Sequence, residues 1–349
     1  MKVLMIGLGG IGQRHLRNLK TLLGENLEVI AYRTRKLSTT LTDRLQIDPG
    51  VDLETKYRIR TYNDLDLALD EHPDVAFICN PSSLHIPVAL KAAEAGCHLF
   101  IEKPLSDTVD RIHELATTLN RKSRVGYVGY QMRFHPCLKI AHHWLKQNVI
   151  GSVISIQAEV GEYLPGWHTY EDYRQMYAAR KDLGGGVILS QIHEMDYLYW
   201  FFGLPSRIIT MGGHLSNLEV DVEDVASTLL EFGLNGKQVP ASLYQDYLQR
   251  PPTRSLHIIG NSGKILVDFV TLNARCYDQQ GQIAEEANFA NFQRNQLFLD
   301  ELTHFLACVR GEEKPLINVG DGLQSLRMAL AAKESIGSGK VVYLSSVGE

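Results

Sequence analysis

A run of glycines near the start of the chain constrains the fold more than any other feature. The run is Gly7-Leu8-Gly9-Gly10-Ile11-Gly12, directly after the apolar segment 3–6 and directly before a helical pattern. In that context Gly7 allows a tight turn, Gly9 lets the main chain approach a diphosphate, and Gly12 lets the helix pack closely on the strand. The helix N-terminus favours negative charge. The run therefore predicts a dinucleotide site at Gly7, Gly9, Gly10, Ile11 and Gly12, with an ordinary glycine turn as the alternative.

Hydrophobic patterning divides the chain into two parts. Up to about Arg124, short apolar runs alternate with amphipathic stretches, which is typical of βαβ units and a parallel sheet. We therefore expect an α/β protein with a doubly wound dinucleotide-binding domain at 1–124. An α/β domain with a large, mostly antiparallel open sheet should follow at 125–349 and provide substrate binding and oligomerisation. Its predicted strands lie at 153–160, 226–232, 239–248 and 256–268, and its predicted helices at 136–147, 192–202, 295–309 and 322–335. The segment 244–252 is expected to be a strand that runs into a hairpin.

Composition excludes several classes of protein. The 349 residues carry a formal charge of −5, which argues against nucleic acid as the main partner. No apolar run approaches the ~20 residues of a membrane span, and the first residues lack a signal-peptide pattern. The five cysteines are scattered without a Cys-x-x-Cys pair, so neither a disulfide framework nor a metal site is indicated. We expect a cytoplasmic protein without a membrane segment or a metal.

The end of the second predicted strand bears on the choice of cofactor. An NAD enzyme would be expected to place an acidic residue there for the ribose hydroxyls. This chain has Arg33, Thr34 and Arg35 instead, which suit a 2′-phosphate. NADP is therefore favoured and NAD remains possible, while solvated loop charges are the alternative interpretation.

Two further strand ends carry chemically useful residues. One strand is followed by Asn80, Pro81, Ser82 and His85, and the next leads into Glu102-Lys103-Pro104. Because ligands bind at the carboxyl ends of strands in such sheets, both segments are expected at the cofactor. Lys103, held between an acid and a proline, is a candidate general acid or base. Pro104 could fix the Lys103 backbone through a cis bond.

The second domain contributes a triple glycine, 184–186, followed by Ser190, His193 and Asp196. His193 and Asp196 are three residues apart, which places both on one face of a helix. A histidine can exchange a proton near neutral pH. A histidine satisfied by core packing is the alternative, but the adjacent glycines, which permit close approach to a ligand, favour a site.

Several motifs in a fixed order resemble the Gfo/Idh/MocA oxidoreductases. They are GLGGIG, NPSSLH, IEKP, GYQMRFHP, GGGVILSQIHEMD and the closing DGLQSLRMALAAKES with GKVV, from Lys2 to about Leu344. The resemblance implies a Rossmann domain, a second domain whose sheet packs in a homodimer or homotetramer, and an active site between them. It also implies that Lys103 is the catalytic lysine, that His193 is an acid/base or orienting residue, and that Arg133 lies near the nicotinamide.

This sequence departs from the family pattern at one position. The family often has an aspartate where this chain has Ser190, which cannot act as a carboxylate base. A catalytic pair would then consist of Lys103 and His193, with Ser190 at the substrate; reduced or specialised activity is the alternative.

An aromatic stretch at 162–174 is the least generic part of the chain. It looks like a segment of family members from surface-polysaccharide and acidic-sugar pathways. Tyr163 and Trp167 could stack on a sugar ring, and Arg174 could neutralise a carboxylate or phosphate. Packing of this stretch in an oligomer is an equally good interpretation.

Together these features predict an NAD(P)-dependent sugar dehydrogenase or reductase. It would transfer a hydride between a nicotinamide and a secondary alcohol or ketone of a sugar derivative, including an acidic or nucleotide-activated one. The alternatives are a nicotinamide-retaining glycosidase that uses transient oxidation, and a non-catalytic protein that senses a cofactor or a sugar.

Overall fold

The computed structural model describes residues 1–34, 39–42, 45–50 and 52–345. The N-terminal part forms a six-stranded parallel sheet in the order β3-β2-β1-β4-β5-β6. Its strands are β1 (Lys2–Ile6), β2 (Glu28–Tyr32), β3 (Arg60–Tyr62), β4 (Val75–Ile78), β5 (His98–Glu102) and β6 (Gly126–Gly129). The helices of this part are α1 (Gly10–Leu23), α2 (Leu53–Tyr57), α3 (Leu65–Leu69), α4 (His85–Glu94) and α5 (Ile112–Lys122). This is the expected doubly wound fold, and its strand order reverses between β1 and β4.

The central strands of this sheet are almost wholly apolar because both of their faces are covered. All four residues of β4 are buried, and so are four of the five in β1. The sheet also extends beyond the predicted domain boundary at 124/125, because β6 pairs in parallel with β5. The short apolar and glycine-rich composition of β6 resembles a turn more than a strand, and only its pairing identifies it.

The C-terminal part forms a nine-stranded sheet in the order β14-β13-β12-β11-β7-β10-β9-β8-β15. Its strands are β7 (Val153–Gly161), β8 (Arg207–Gly213), β9 (Val225–Leu234), β10 (Lys237–Asp246), β11 (Thr253–Gly260), β12 (Gly263–Asp268), β13 (Asn273–Tyr277), β14 (Ile283–Asn288) and β15 (Val342–Tyr343). Every neighbouring pair is antiparallel except β7 and β10. The predicted mostly antiparallel sheet is therefore confirmed.

Strand order corrects one local prediction. The segment 244–252 does not lead into a hairpin, because β7 lies between β10 and β11 in the sheet. The chain leaves β10, passes a cis Arg250–Pro251 bond, and returns as β11 on the far side of β7. Strand partners that are distant in sequence cannot be seen in a local pattern.

The second part also contains helices. They are α6 (Pro136–Lys146), α7 (Val187–Ser190), α8 (His193–Phe202), α9 (Asn295–Val309) and α10 (Val319–Ser338). Helix α9 packs on α1, and α10 packs on β8, α8, α5 and β6. Asn318 begins α10 with a capping box closed by Asp321. Since α9 and α10 contact both parts, the chain crosses back to the first sheet after completing the second.

Candidate active site

The glycine run forms a tight turn at the point where the strand order reverses. Gly7 has a φ of +94°, and a Cβ there would lie 2.8 Å from the main-chain nitrogen of Asn80. A Cβ at Gly12 would overlap the carbonyl oxygen of Gly7. Beside Gly9, by contrast, no described atom lies within 4 Å of the Cβ position. This open space at the N-terminus of α1 fits the diphosphate of a dinucleotide.

The second domain reaches this turn through the aromatic stretch. A Cβ at Gly10 would lie 2.6 Å from the hydroxyl oxygen of Tyr170. Burial raises the pKa of that hydroxyl, so it stays protonated. Ile11 is partly buried beside it and packs against the core. The predicted dinucleotide site is therefore bordered by both parts of the chain.

The end of β2 carries an acidic partner that local sequence did not suggest. The Arg33 guanidinium donates to Glu54 Oε1 at 3.0 Å, and the Thr61 hydroxyl donates to the same oxygen at 3.1 Å. Glu54 lies in α2, which brings it beside β2. Thr34 follows Arg33 directly, and Arg35 lies outside the residues that the structure describes. The charge of Arg33 is thus partly compensated by a carboxylate.

Lys103 is held at the carboxyl end of β5 and points towards the second domain. Its Nζ donates to the main-chain oxygen of Ser190 at 2.6 Å. The Lys103–Pro104 bond is cis. Glu102 accepts a hydrogen bond from the Lys103 main-chain nitrogen, and its other oxygen lies 2.6 Å from His15 Nε2 on α1. The predicted cofactor residue Glu102 thus ties the lysine segment to α1.

His85 joins the two segments that follow β4 and β5. Its Nε2 lies 2.8 Å from the Asn80 carbonyl oxygen, and its Nδ1 lies 2.9 Å from the Pro104 carbonyl oxygen. Burial lowers the pKa of His85, so the ring is neutral at neutral pH and donates to one carbonyl at a time.

The triple glycine lies against the segment that follows β4. A Cβ at Gly184 would lie 3.1 Å from the Cβ of Ser82, which follows Pro81 in that segment. The absence of a side chain at Gly184 therefore allows close contact between the domains.

His193 begins α8 beside Lys103. Gln131 Nε2 donates to His193 Nε2 at 3.1 Å, so the proton of the neutral ring lies on Nδ1, which has no partner among the described residues. Burial lowers its pKa well below the usual value, and the charge of Lys103 adds to this. His193 is therefore neutral, and its buried Nδ1–H has no partner among the described residues.

A break between α7 and α8 places Ser190 and His193. Gln191 Nε2 donates to the Asp246 main-chain oxygen at 2.8 Å, and Gln245 Nε2 donates to the Gln191 main-chain oxygen at 2.9 Å. These two bonds fix the break against the end of β10. Ser190 therefore contributes its carbonyl oxygen to Lys103, while its side chain is buried.

Arg133, which the resemblance places near the nicotinamide, forms a buried ion pair. Its guanidinium forms a buried pair with Asp196, with Nη2 at 2.8 Å and Nε at 2.9 Å from the carboxylate oxygens. Nη1 donates to the Leu316 main-chain oxygen at 3.1 Å. The pair ties α8 to the turn that holds Gln131. Arg133 therefore helps to hold together the two segments that carry Gln131 and His193.

The three predicted substrate residues of the aromatic stretch have different surroundings. The Tyr163 ring lies under the Arg250 guanidinium, 4.0 Å from it. The Trp167 indole packs on Tyr247 with its Nε1 buried. Arg174 is paired with Asp172 and Glu219 at an open surface depression. None of the interactions found within the described ranges joins Arg174 to Lys103 or His193.

Four residues near His193 were missed by the sequence analysis. Gln131 orients the ring, and Glu194, the next residue of α8, binds Arg254 at 2.7 Å. The positive charges of Arg254 and Arg294 both act on His193. Gln131 lies inside the GYQMRFHP motif and could have been suspected, whereas nothing local distinguishes the two arginines.

Comparison with known proteins assigns the family. Residues 1–130 match the oxidoreductase family with the NAD-binding Rossmann fold, and residues 138–266 match the GFO/IDH/MocA C-terminal domain. The chain belongs to the GFO/IDH/MocA oxidoreductase family. Its Rossmann part contains the glycine turn and Lys103, and its C-terminal part contains His193.

Relatives with established names cover nearly the whole chain. A myo-inositol 2-dehydrogenase of Thermotoga maritima is 25% identical, with 99% of each chain covered. A scyllo-inositol 2-dehydrogenase (NAD(+)) of Bacillus subtilis is also 25% identical, over 97% of this chain and 95% of the relative. The WlbA dehydrogenase of Bordetella pertussis, solved with NADH and UDP-GlcNAcA, has a TM-score of 0.80 at 20% identity, with 99% of each chain covered. At that identity the structural likeness shows the fold alone.

Within the described residues, no helix has the length and apolar character that a bilayer-spanning segment requires.

Proposed function

We propose that this oxidoreductase interconverts a secondary alcohol and a ketone of a sugar or polyol derivative, with NADP(H) favoured as cofactor. The observation that carries the proposal is the 2.6 Å hydrogen bond from Lys103 Nζ to Ser190. It brings the lysine of the first sheet beside His193 of the second domain, at the edge where a Rossmann fold binds its nicotinamide. The names of the inositol dehydrogenases support the same class of substrate.

The proposed roles of Lys103 and His193 follow from the hydrogen-bonding capacity that each side chain has left for a substrate. Lys103 Nζ donates one hydrogen bond to Ser190 and can turn its remaining positions to a substrate hydroxyl. As the neutral amine it takes the hydroxyl proton in oxidation, and as the ammonium it returns that proton to the carbonyl oxygen in reduction. The unused Nδ1–H of His193 can donate to the same oxygen and stabilise negative charge that develops there. A bound nicotinamide accepts or supplies the hydride.

The glycine turn would hold the diphosphate, with Gly9 at closest approach and Tyr170 at its border. The segment of Asn80 to His85 and the Glu102–Lys103 segment would border the nicotinamide. Arg33 and Thr34 would meet the ribose that carries the 2′-phosphate. The pairing of Arg33 with Glu54 supports a moderate rather than an absolute preference for NADP over NAD.

A conservative change at the lysine tests the proposed reaction. Lys103→Met keeps the length of the side chain but removes the proton carrier. We expect turnover of a responsive polyol or sugar to fall by about 10²–10⁴-fold, while affinity for NADPH, measured by fluorescence titration, changes little.

Lys91→Met is the matched control, because Lys91 is exposed and paired with Asp66 on the surface. Normal turnover by Lys103→Met would remove Lys103 from the reaction. Glycoside cleavage without net change in nicotinamide absorbance would replace the dehydrogenase with redox-neutral elimination. Failure to bind either NADPH or NADH would overturn the proposed function altogether.

The outer face of the nine-stranded sheet is proposed to bind a second copy of the chain. One face of this sheet is covered by helices such as α10. The other exposes Met211 at 75%, Leu229 at 56% and Tyr244 at 37% on adjacent strands. Contiguous exposed apolar side chains favour association, and a homodimer or homotetramer would bury them.

A further inference from the structure

Lys103 needs a fixed main chain because its side chain is long and flexible. An aliphatic stem separates Nζ from Cα, so a small movement of the main chain moves the amine away from a substrate. The second domain holds the far end of the side chain, where Nζ donates to the Ser190 carbonyl oxygen. The near end is held from inside the Rossmann part by a buried pair of side chains.

His15 and Glu102 form that pair. His15 lies on α1, and Glu102 is the last residue of β5. His15 Nε2 and Glu102 Oε1 are 2.6 Å apart, and Glu102 Oε2 accepts from the Lys103 main-chain nitrogen at 3.2 Å. One carboxylate oxygen therefore faces the histidine and the other faces the lysine. A displacement of either partner is passed to the other through a rigid planar group.

Apolar packing fixes the ring of His15. The ring is fully buried, and its centroid lies 4.9 Å from that of Phe100, 5.7 Å from that of Phe77 and 6.1 Å from that of Phe298. These three rings belong to β5, β4 and α9. A hydrogen bond in such surroundings is strong, because the local dielectric constant is low and water does not compete for the donor.

The proton of the pair lies on His15 Nε2. The other ring nitrogen, Nδ1, is buried and has no hydrogen-bond partner among the described residues. A proton on Nδ1 would be a buried donor without an acceptor, which folded proteins tolerate less readily than an acceptor without a donor. The ring therefore carries its proton on Nε2 and donates it to the Glu102 carboxylate.

A second contact holds the main chain on the other side of Lys103. The Pro104 carbonyl oxygen lies 2.9 Å from His85 Nδ1 on α4. Loss of the His15 ring would therefore loosen one side of the lysine segment and leave the other side in place. The expected effect is a displaced amine in a folded protein.

We propose that His15 is a positioning residue for the reaction: by donating to Glu102 it fixes the main chain of Lys103 and so places Nζ between Ser190 and the substrate hydroxyl. The inference rests on the proposed role of Lys103. Helix α1 begins at the glycine turn and also carries His15. The helix that would hold the cofactor diphosphate thus sets the position of the lysine as well.

Two substitutions differ in whether they reach Glu102. His15→Leu keeps an apolar group among the phenylalanine rings but has no donor, whereas the amide nitrogen of His15→Gln takes the place of Nε2. Turnover would be measured with myo-inositol, scyllo-inositol and D-glucuronate at saturating NADP⁺ or NAD⁺. We expect kcat of His15→Leu to fall by about 10–100-fold, because a displacement of about 1 Å can be that costly. His15→Gln should recover most of this loss, and NADPH affinity in fluorescence titrations should change by less than about threefold in both variants.

A double-variant cycle separates positioning from a general loss of stability. The Lys103→Met background has no amine to position, so adding His15→Leu there should change the residual turnover by less than about threefold. A merely structural role would lower turnover by the same factor in both backgrounds. His142→Leu is the matched control, because His142 also packs on aromatic rings, those of Trp200 and Phe201. Its kcat should equal that of the wild type.

Hydrogen exchange measures the same contact without a substrate. Glu102 holds the main-chain N–H of Lys103, so exchange in a peptide spanning 99–106 should be about tenfold faster in His15→Leu. It should return close to the wild-type rate in His15→Gln, and peptides of α6 should not change. If His15→Leu does not fold, His15→Asn, whose amide is too short to reach Glu102, takes its place in both experiments.

Several results would overturn the inference. Wild-type exchange and wild-type kcat in a folded His15→Leu would show that Glu102 holds Lys103 unaided. An equal loss of turnover with and without Lys103 would assign His15 to stability, and a loss confined to NADPH affinity would assign it to the cofactor. Normal turnover by Lys103→Met alone would instead refute the proposed role of the lysine, and this inference with it.

Discussion

The buried pair between Arg133 and Asp196 offers a quantitative test of how the site is held. Asp196→Asn keeps the size of the side chain but removes its charge. Both carboxylate oxygens bind Arg133, at 2.8 and 2.9 Å, and one also accepts from the Ser325 hydroxyl at 3.0 Å. Asp196 is fully buried and the Arg133 side chain is 3% exposed, so water cannot replace the lost partner.

The expected cost follows from that burial. Removing one partner of a buried ion pair typically destabilises a protein by about 3–5 kcal/mol, because the remaining charge is left uncompensated. That is a large fraction of the roughly 5–15 kcal/mol that stabilises most folded proteins. Arg133→Met combined with Asp196→Leu removes both charges and should recover at least half of the loss. The recovery is incomplete because the Leu316 carbonyl loses its donor, which costs about 1 kcal/mol.

Chemical denaturation followed by tryptophan fluorescence and circular dichroism would measure these free energies of unfolding. Asp66→Asn makes the same substitution in the exposed pair with Lys91, and its cost should stay below about 1 kcal/mol. A cost this small for Asp196→Asn, or a double variant that loses as much stability as Asp196→Asn, would refute the reasoning. Because the pair ties α8 to the turn of Gln131, kcat should also fall in Asp196→Asn.

Three other predictions concern the cofactor, the sheet and a buried acid. Arg33→Ser should weaken NADPH binding by about tenfold or more and change NADH binding by less than about threefold; equal losses in fluorescence titrations would remove the NADP preference. Leu229→Asp, on the outer face of the sheet, should lower the assembly mass measured by light scattering, and an unchanged mass would exclude that face as the interface. Glu301 is fully buried, and neither of its carboxylate oxygens has a hydrogen-bond partner among the described residues. Burial raises the pKa of Glu301 well above the usual value, and the negative charges of Glu102 and Asp196 raise it further. Between the pKa of Glu301 in the unfolded chain and its higher pKa in the folded protein, only the folded protein keeps the proton. The free energy of unfolding is therefore highest below the unfolded-state pKa and decreases by up to about 1.4 kcal/mol per pH unit as the pH rises towards the folded-state pKa. Glu301→Gln should flatten this decrease in unfolding experiments from acidic to mildly alkaline pH, whereas an unchanged slope would show that Glu301 ionises freely.

Local features of the chain were predictable because they depend on a few neighbouring residues. The turn at Gly7 needs a positive φ and close approach to Asn80, and only glycine satisfies both. The alternating burial of β9 follows from a sheet with one covered face. The position of Lys103 after a buried strand and the helix that begins at His193 were equally visible.

The sequence by itself therefore determined the two-domain α/β fold and the glycine turn, whereas the pairing of Lys103 with His193 was implied by the resemblance to the family. Tertiary structure alone decided which charges meet. Arg133 pairs with Asp196 across 63 positions, and Arg254 with Glu194 across 60. Such partners are selected by packing between distant elements, where burial makes a charge costly unless another group, or a ligand, compensates it.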